Sequence, residues 1–134
     1  MPSDMLKLRE FAARYTAAWC SGNPAAVAEF YSPDGSLRVN EDPPAIGRSA
    51  ITSVAQSFMT AFPDLCIIMD ELKPGDEPEY HWTLTGTNTG PGGTGRHVRI
   101  SGFEKWRIGA DGLIASSEGR FDGTDYRRQL SANV

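Results

Sequence analysis

Apolar residues recur at helical spacing up to Pro63 and at alternating spacing after it, so the chain divides into a helical first half and a strand-rich second half. Leu8, Phe11, Ala12, Tyr15, Ala18 and Trp19 predict a first helix, with Ser3 or Asp4 as its cap. Ser21-Gly22-Asn23-Pro24 ends it, and Pro24 suits the first turn of a short second helix running from Ala25 to Tyr31. That helix would bury Val27, Phe30 and Tyr31. Ser32-Pro33-Asp34-Gly35 reads as a turn before a short strand with Leu37 and Val39, and Pro43-Pro44 excludes regular structure. Gly47 precedes a third helix, Ser49 to Phe62, with Ile51, Val54, Ala55, Phe58, Met59 and Phe62 on one side.

Beyond Pro63 the periodicity changes. Leu65 to Met69, with Leu72, predicts a strand that breaks at Lys73-Pro74-Gly75-Asp76. Glu79 to Ile108 predicts two long strands folded over the glycine-rich segment Gly90 to Gly95, where reversal is cheap. Gly109-Ala110-Asp111-Gly112 is a second hairpin turn, followed by a last strand, Leu113 to Asp122, and a tail with Tyr126, Gln129 and Leu130. Helices first and antiparallel strands after predict an α+β domain, with helices packed on one face of a curved sheet. Folded symmetrically, the long hairpin pairs Trp82 with Phe103 and sets His81 and Thr83 against Glu104 and Gly102.

Composition narrows the function classes. With 134 residues there is room for one domain, and the 40% hydrophobic and 22% charged shares are those of a globular chain. A net charge of −4 argues against a nucleic-acid partner. Arg96, His97 and Arg99 near the long turn fit a solvated rim, and Gly90 to Gly95 lacks the Lys and Ser/Thr of a phosphate loop. Cys20 and Cys66 have no metal-ligand spacing around them; they are expected to be buried and reduced. No apolar run is long enough to span a membrane, and a cytoplasmic location is the default expectation.

The order of elements resembles the NTF2-like superfamily, a cone of bent sheet closed by helices around a pocket. Phe62-Pro63-Asp64-Leu65, then Gly86-Thr87-Asn88-Thr89-Gly90 with Thr94-Gly95-Arg96, then Phe121-Asp122 with Arg128-Gln129-Leu130, resemble its SnoaL-like polyketide cyclase branch. Asn88 stands where that branch usually has His. The resemblance implies a homodimer formed through the sheet, a pocket for a small hydrophobic organic ligand, and cofactor-free chemistry. Relatives form or break C–C bonds by aldol chemistry, isomerise ketosteroids or open epoxides, using a pocket carboxylate. By the same resemblance the cyclase acid/base aspartate falls on Gly119, and a neighbouring-strand histidine on Glu104. The Arg and Asp of epoxide hydrolases fall on His81 and Thr83.

Those positions frame the candidate chemistry. His81 and Glu104, opposed on one face, would form a proton-moving pair suited to enolisation or aldol closure, or else a polar pair that only satisfies itself. Tyr15, Trp19, Tyr31 and Trp106 would line an apolar cavity, with tyrosine hydroxyls orienting a ligand, or would be plain core. Thr83, Gly102 and Gly119 complete the expected pocket. Glu118, Arg120 and Asp122 alternate on the face opposite Gly119, unless a bulge turns Glu118 or Asp122 inward.

Overall fold

The computed structural model describes residues 2–131. Three helices, α1 (Pro2–Cys20), α2 (Pro24–Ala28) and α3 (Arg48–Ala61), pack against a six-stranded sheet. Its strands are β1 (Tyr31–Val39), β2 (Ala45–Ile46), β3 (Cys66–Lys73), β4 (Glu79–Thr87), β5 (His97–Ile108) and β6 (Ile114–Phe121). A last helix, α4 (Gly123–Ser131), follows the sheet. The strand order is β2-β1-β6-β5-β4-β3, with β1 and β6 parallel and every other pair antiparallel. The α+β architecture is as expected.

Local chemistry accounts for the helices. The predicted stripe of α1 buries Ala12, Tyr15, Ala18 and Trp19 against the sheet; the side chains of Ser3 and Asp4, expected to cap it, lie outside the described residues. The carboxamide oxygen of Asn23 accepts from Ala25 N at 3.1 Å, and Pro24 occupies the first turn of α2. That helix stops at Ala28, so Tyr31 begins β1 rather than closing α2. The Ser32–Gly35 turn is a bulge inside β1, between its pairings at Tyr31 and Ser36 with β6. In α3 the i, i+4 residues Ile51, Ala55 and Met59 are buried. The tail is α4, which the sequence did not announce because its turns are polar and none of its residues is buried.

The register of β4 with β5 differs from the symmetric one by a single residue. Tyr80 pairs with Glu104, His81 with Phe103, Trp82 with Gly102 and Thr83 with Ser101. The cause is the connection. Asn88 N donates to Arg96 O, and Gly95 N to Asn88 O, so the reversal spans residues 89–95 and centres on Gly92. Even-numbered residues therefore share a face across both strands: Tyr80, Trp82, Leu84, Ile100, Glu104 and Trp106 point toward the helices. A one-residue slip moves every side chain to the other side of a sheet. His81 and Glu104 accordingly stand on opposite faces.

Two family-like words serve the scaffold. Asp64 accepts from Thr87 N at 2.7 Å and Thr87 Oγ1 at 2.8 Å. Asn88 donates to Ala61 O at 3.1 Å and accepts from Thr94 N at 2.8 Å, tying the turn to the end of α3. A Cβ at Gly90 would lie 1.9 Å from Thr60 O, so only glycine permits that approach. Cys20 and Cys66 are free as expected but exposed, not buried, because Cys66 opens the edge strand β3. Among the described residues no helix is long and apolar enough to cross a membrane.

Candidate functional site

The face of the sheet beneath the helices encloses a narrow slot. Trp19 of α1, Phe58 of α3, Tyr80 and Trp82 of β4 and Phe121 of β6 wall it, and Glu104 of β5 and Gly119 of β6 form part of its floor. Its volume of about 60 Å³ is room for only about four to six waters. The slot adjoins a wider opening of about 770 Å³, with Val39, Phe58 and Phe121 lining both. Glu41, Asp42, Arg120 and Arg127 make that outer opening polar.

Among the described residues lining the slot, Glu104 is the one ionisable group other than the Tyr80 phenol, and it is 7% exposed. Its Oε1 accepts three hydrogen bonds: from Trp106 Nε1 at 2.8 Å, Ser117 Oγ at 2.8 Å and Tyr15 OH at 2.9 Å. Among the described residues Oε2 has only a longer contact, with the same Tyr15 hydroxyl at 3.2 Å. One oxygen is thus saturated and the other retains lone pairs to exchange a proton. Every donor is neutral, so no cation offsets the loss of water. Desolvation pushes the Glu104 pKa up, and the bonds from Trp106, Ser117 and Tyr15 hold it back only in part.

A second layer orders those donors. Tyr15 and Tyr31 share a hydrogen bond of 2.8 Å, so Tyr31 can donate to Tyr15 while Tyr15 donates to the carboxylate. Burial first, and the nearby Glu104 charge second, raise both phenol pKa values well above the usual range, which keeps them protonated as donors. Tyr15 also sits among Trp19, Tyr80 and Trp106 in edge-on contacts at 5.3–6.5 Å, which lock its ring. Tyr80 and Trp106 stack at 5.0 Å.

The sequence-predicted residues fall into three groups. Trp19, Glu104 and Gly119 line the slot. Tyr15, Tyr31 and Trp106 are wholly buried behind it; Tyr15 and Trp106 bond Glu104, and Tyr31 bonds Tyr15. His81 and Thr83 lie on the outer face and leave the pocket. The His81 ring stacks on Phe103 at 5.4 Å and its Nε2 meets Glu79 at 3.1 Å, so the expected pair with Glu104 is replaced by one with Glu79. Thr83 bonds Asp70 at 2.5 Å and Ser101 at 2.7 Å. Gly102 faces inward without lining the slot; a Cβ there would come within 2.8 Å of Trp82 Cζ2, so this glycine seats a lining residue.

Gly119 and Glu104 are Cα partners on adjacent strands, and a Cβ on Gly119 would lie 3.8 Å from Glu104 Cγ. No bulge intervenes there, so Glu118 and Asp122 face away from the slot. Glu118 approaches Arg38 at 4.0 Å, and Asp122 Oδ1 caps α4 by accepting from Asp125 N. Sequence reasoning missed Tyr80, Trp82 and Ser117. The alternation Tyr80, Trp82, Leu84 carried the signal for the first two once β4 was assigned; Ser117 sits two residues before Gly119 and hence on its face. Among the described residues no cluster of three or more His, Cys, Asp or Glu is placed to hold a metal.

The SnoaL-like polyketide cyclase family model matches residues 9–130, and the chain belongs to that family. No curated protein matches it. Solved structures confirm the NTF2-like fold. A protein from Catenulispora acidiphila with a ketosteroid isomerase-like fold, solved in complex with trimethylamine, has a TM-score of 0.80 at 16% identity, over 92% of this chain and 94% of that one. A putative SnoaL-like polyketide cyclase from Jannaschia sp. CCS1 gives 0.76 at 18% identity, over 93% and 94%. The epoxide hydrolase/cyclase-like enzyme SalBIII, with a role in pyran ring formation in the polyether salinomycin, gives 0.78 at 21% identity, over 91% and 95%.

Proposed function

We propose that this SnoaL-like protein binds a small, largely apolar carbonyl compound and moves a proton on it without a cofactor, as a cyclase or isomerase does, with Glu104 as the acid/base. The observation that supports this is the Glu104 carboxyl itself: buried, raised in pKa, saturated at Oε1 and open at Oε2. A carboxyl so placed takes a proton from carbon α to a carbonyl and returns it elsewhere. The resemblance put the acid/base on the β6 position that is Gly119 here. The glycine leaves room beside the neighbouring strand, and the longer arm of Glu104 reaches the same space.

In the forward step Glu104 Oε2 takes the α-proton and the C–H electron pair forms the enolate double bond. Tyr15, Trp106 and Ser117 hold Oε1 throughout, fixing the carboxyl plane. The direct test is deuterium exchange of the α-protons of 2-acetylnaphthalene in D₂O, followed by NMR. Glu104→Gln should slow protein-dependent exchange by about 10²–10⁴-fold; exchange equal to that of the unsubstituted protein would sink the assignment.

A second reading is a non-catalytic binding module. Gly119 at the position where the family resemblance puts the acid/base favours it, and it predicts ligand retention without exchange. For either reading we place a second copy of the chain on the outer sheet face, where Ile68 is 54% exposed beside Thr83. Ile68→Lys should then yield monomers by light scattering.

A further inference from the structure

The indole of Trp82 carries a polar atom that the Glu104 network does not use. Trp82 lines the slot, is 9% exposed, and its buried Nε1 has no hydrogen-bond partner among the described residues. On the next strand the contrast is direct, since the Trp106 Nε1 donates to Glu104 at 2.8 Å. Buried N–H groups without partners are rare in folded proteins, and an indole N–H can only donate. Whatever completes this atom is an acceptor that the described residues do not supply.

Two neighbours are built around the same ring. The bare backbone of Gly102 admits the benzene edge at Cζ2, the carbon beside the one that bears Nε1; a Cβ there would also meet Arg120 O at 2.3 Å. Phe121 packs edge-on to Trp82 at 5.9 Å, is half-buried, and borders both the slot and the outer opening. Nε1 is closed to water in this state; Phe121, which touches the indole and borders both spaces, is the side chain an entering ligand would displace.

We propose that Trp82 is the residue that holds the ligand's oxygen: its Nε1–H binds the carbonyl of a flat, apolar ketone whose adjacent C–H lies at Glu104 Oε2. This rests on the proton-transfer reading above and adds to it the residue that holds the carbonyl oxygen. As the α-proton passes to Glu104, the C–H pair becomes the C=C bond and the carbonyl π pair moves onto oxygen. That growing charge faces the indole N–H, a donor fixed before the reaction begins. Reprotonation at carbon returns the electrons and frees Glu104 as carboxylate. A donor-only N–H also selects against ammonium groups, which have no lone pair to offer it.

The test compares 2-acetylnaphthalene with 2-isopropenylnaphthalene, which has the same outline with CH₂ in place of oxygen. Binding is followed by titration calorimetry and by the indole ¹⁵N–¹H signals of the intact chain. The ketone should bind about fivefold to tenfold tighter than the hydrocarbon and move the Trp82 indole signal downfield, which the hydrocarbon leaves in place. In Trp82→Phe the preference should fall to about one while hydrocarbon binding persists. Equal binding of the two probes with an unmoved Trp82 signal overturns the proposal even if that variant does not fold. If Glu104-dependent exchange survives that outcome, only Trp82 is misassigned. If neither probe binds at millimolar concentration, the proton-transfer reading falls with it.

Discussion

The two faces of the long hairpin carry similar residue types and do opposite things with them. On the outer face Glu79 and His81 meet at 3.1 Å, both partly open to solvent. On the inner face Glu104 has lost its water, meets only neutral donors and has a raised pKa. At the surface rim the reverse holds for Glu41, whose pKa is lowered by its hydrogen bond to Arg120 and by the charges of Arg120 and Arg38. What makes a carboxyl a candidate acid/base is therefore burial without a cation, not the nearness of a histidine.

Breaking the inner face should have the largest effect. Trp106→Ala removes a fully buried ring and the 2.8 Å bond to Glu104, and should cost about 3–5 kcal/mol in urea unfolding. On the outer face Phe103→Ala should cost about 1 kcal/mol or less, since its half-buried ring stacks on the partly exposed His81. Equal losses would erase the distinction.

Tyr15→Phe sharpens the comparison with a smaller change. It removes one donor from Glu104, with a cost of about 1–3 kcal/mol. Because that bond lowers the Glu104 pKa, its loss should move the rise of α-proton exchange to higher pH. An unmoved pH profile would separate Tyr15 from the reacting carboxyl.

Stability gives an independent reading of the same group. The folded pKa of Glu104 lies above its unfolded value, so its contribution is full below the unfolded pKa and is lost as pH rises through the folded one. Glu104→Gln should therefore gain on the unsubstituted protein as pH climbs from about 4 to about 8. A difference that stays flat would contradict the raised pKa. Smallest of all, His81→Ala should change α-proton exchange less than about twofold and stability by about 0.5 kcal/mol or less.

The sequence disclosed the elements better than their alignment. The stripe in α1, the stop at Pro63 and both hairpins were legible because each is a local pattern. The β4–β5 register was not, because it depends on where Asn88 meets Arg96, a contact chosen by the docking of Gly90 on α3. One residue of error moved His81 into the pocket and hid Trp82. Glu104 survived it, since Gly119 lies beside it on the next strand whichever way β4 is read. The Tyr15 and Tyr31 side chains were found without their hydrogen bonds to each other and to Glu104, because periodicity shows that a side chain is buried and not which atom its hydroxyl meets.

The pairing of Gly119 with Glu104 has a consequence for how members of such a fold are sorted. A column-by-column census looks for a carboxylate at the β6 position, meets glycine, and files the chain among the inactive. A census of volumes, asking what side chain fills the hollow, finds a glutamate arriving from the adjacent strand. In the proposed chemistry the carboxyl is addressed by the space it fills rather than by its position in the chain.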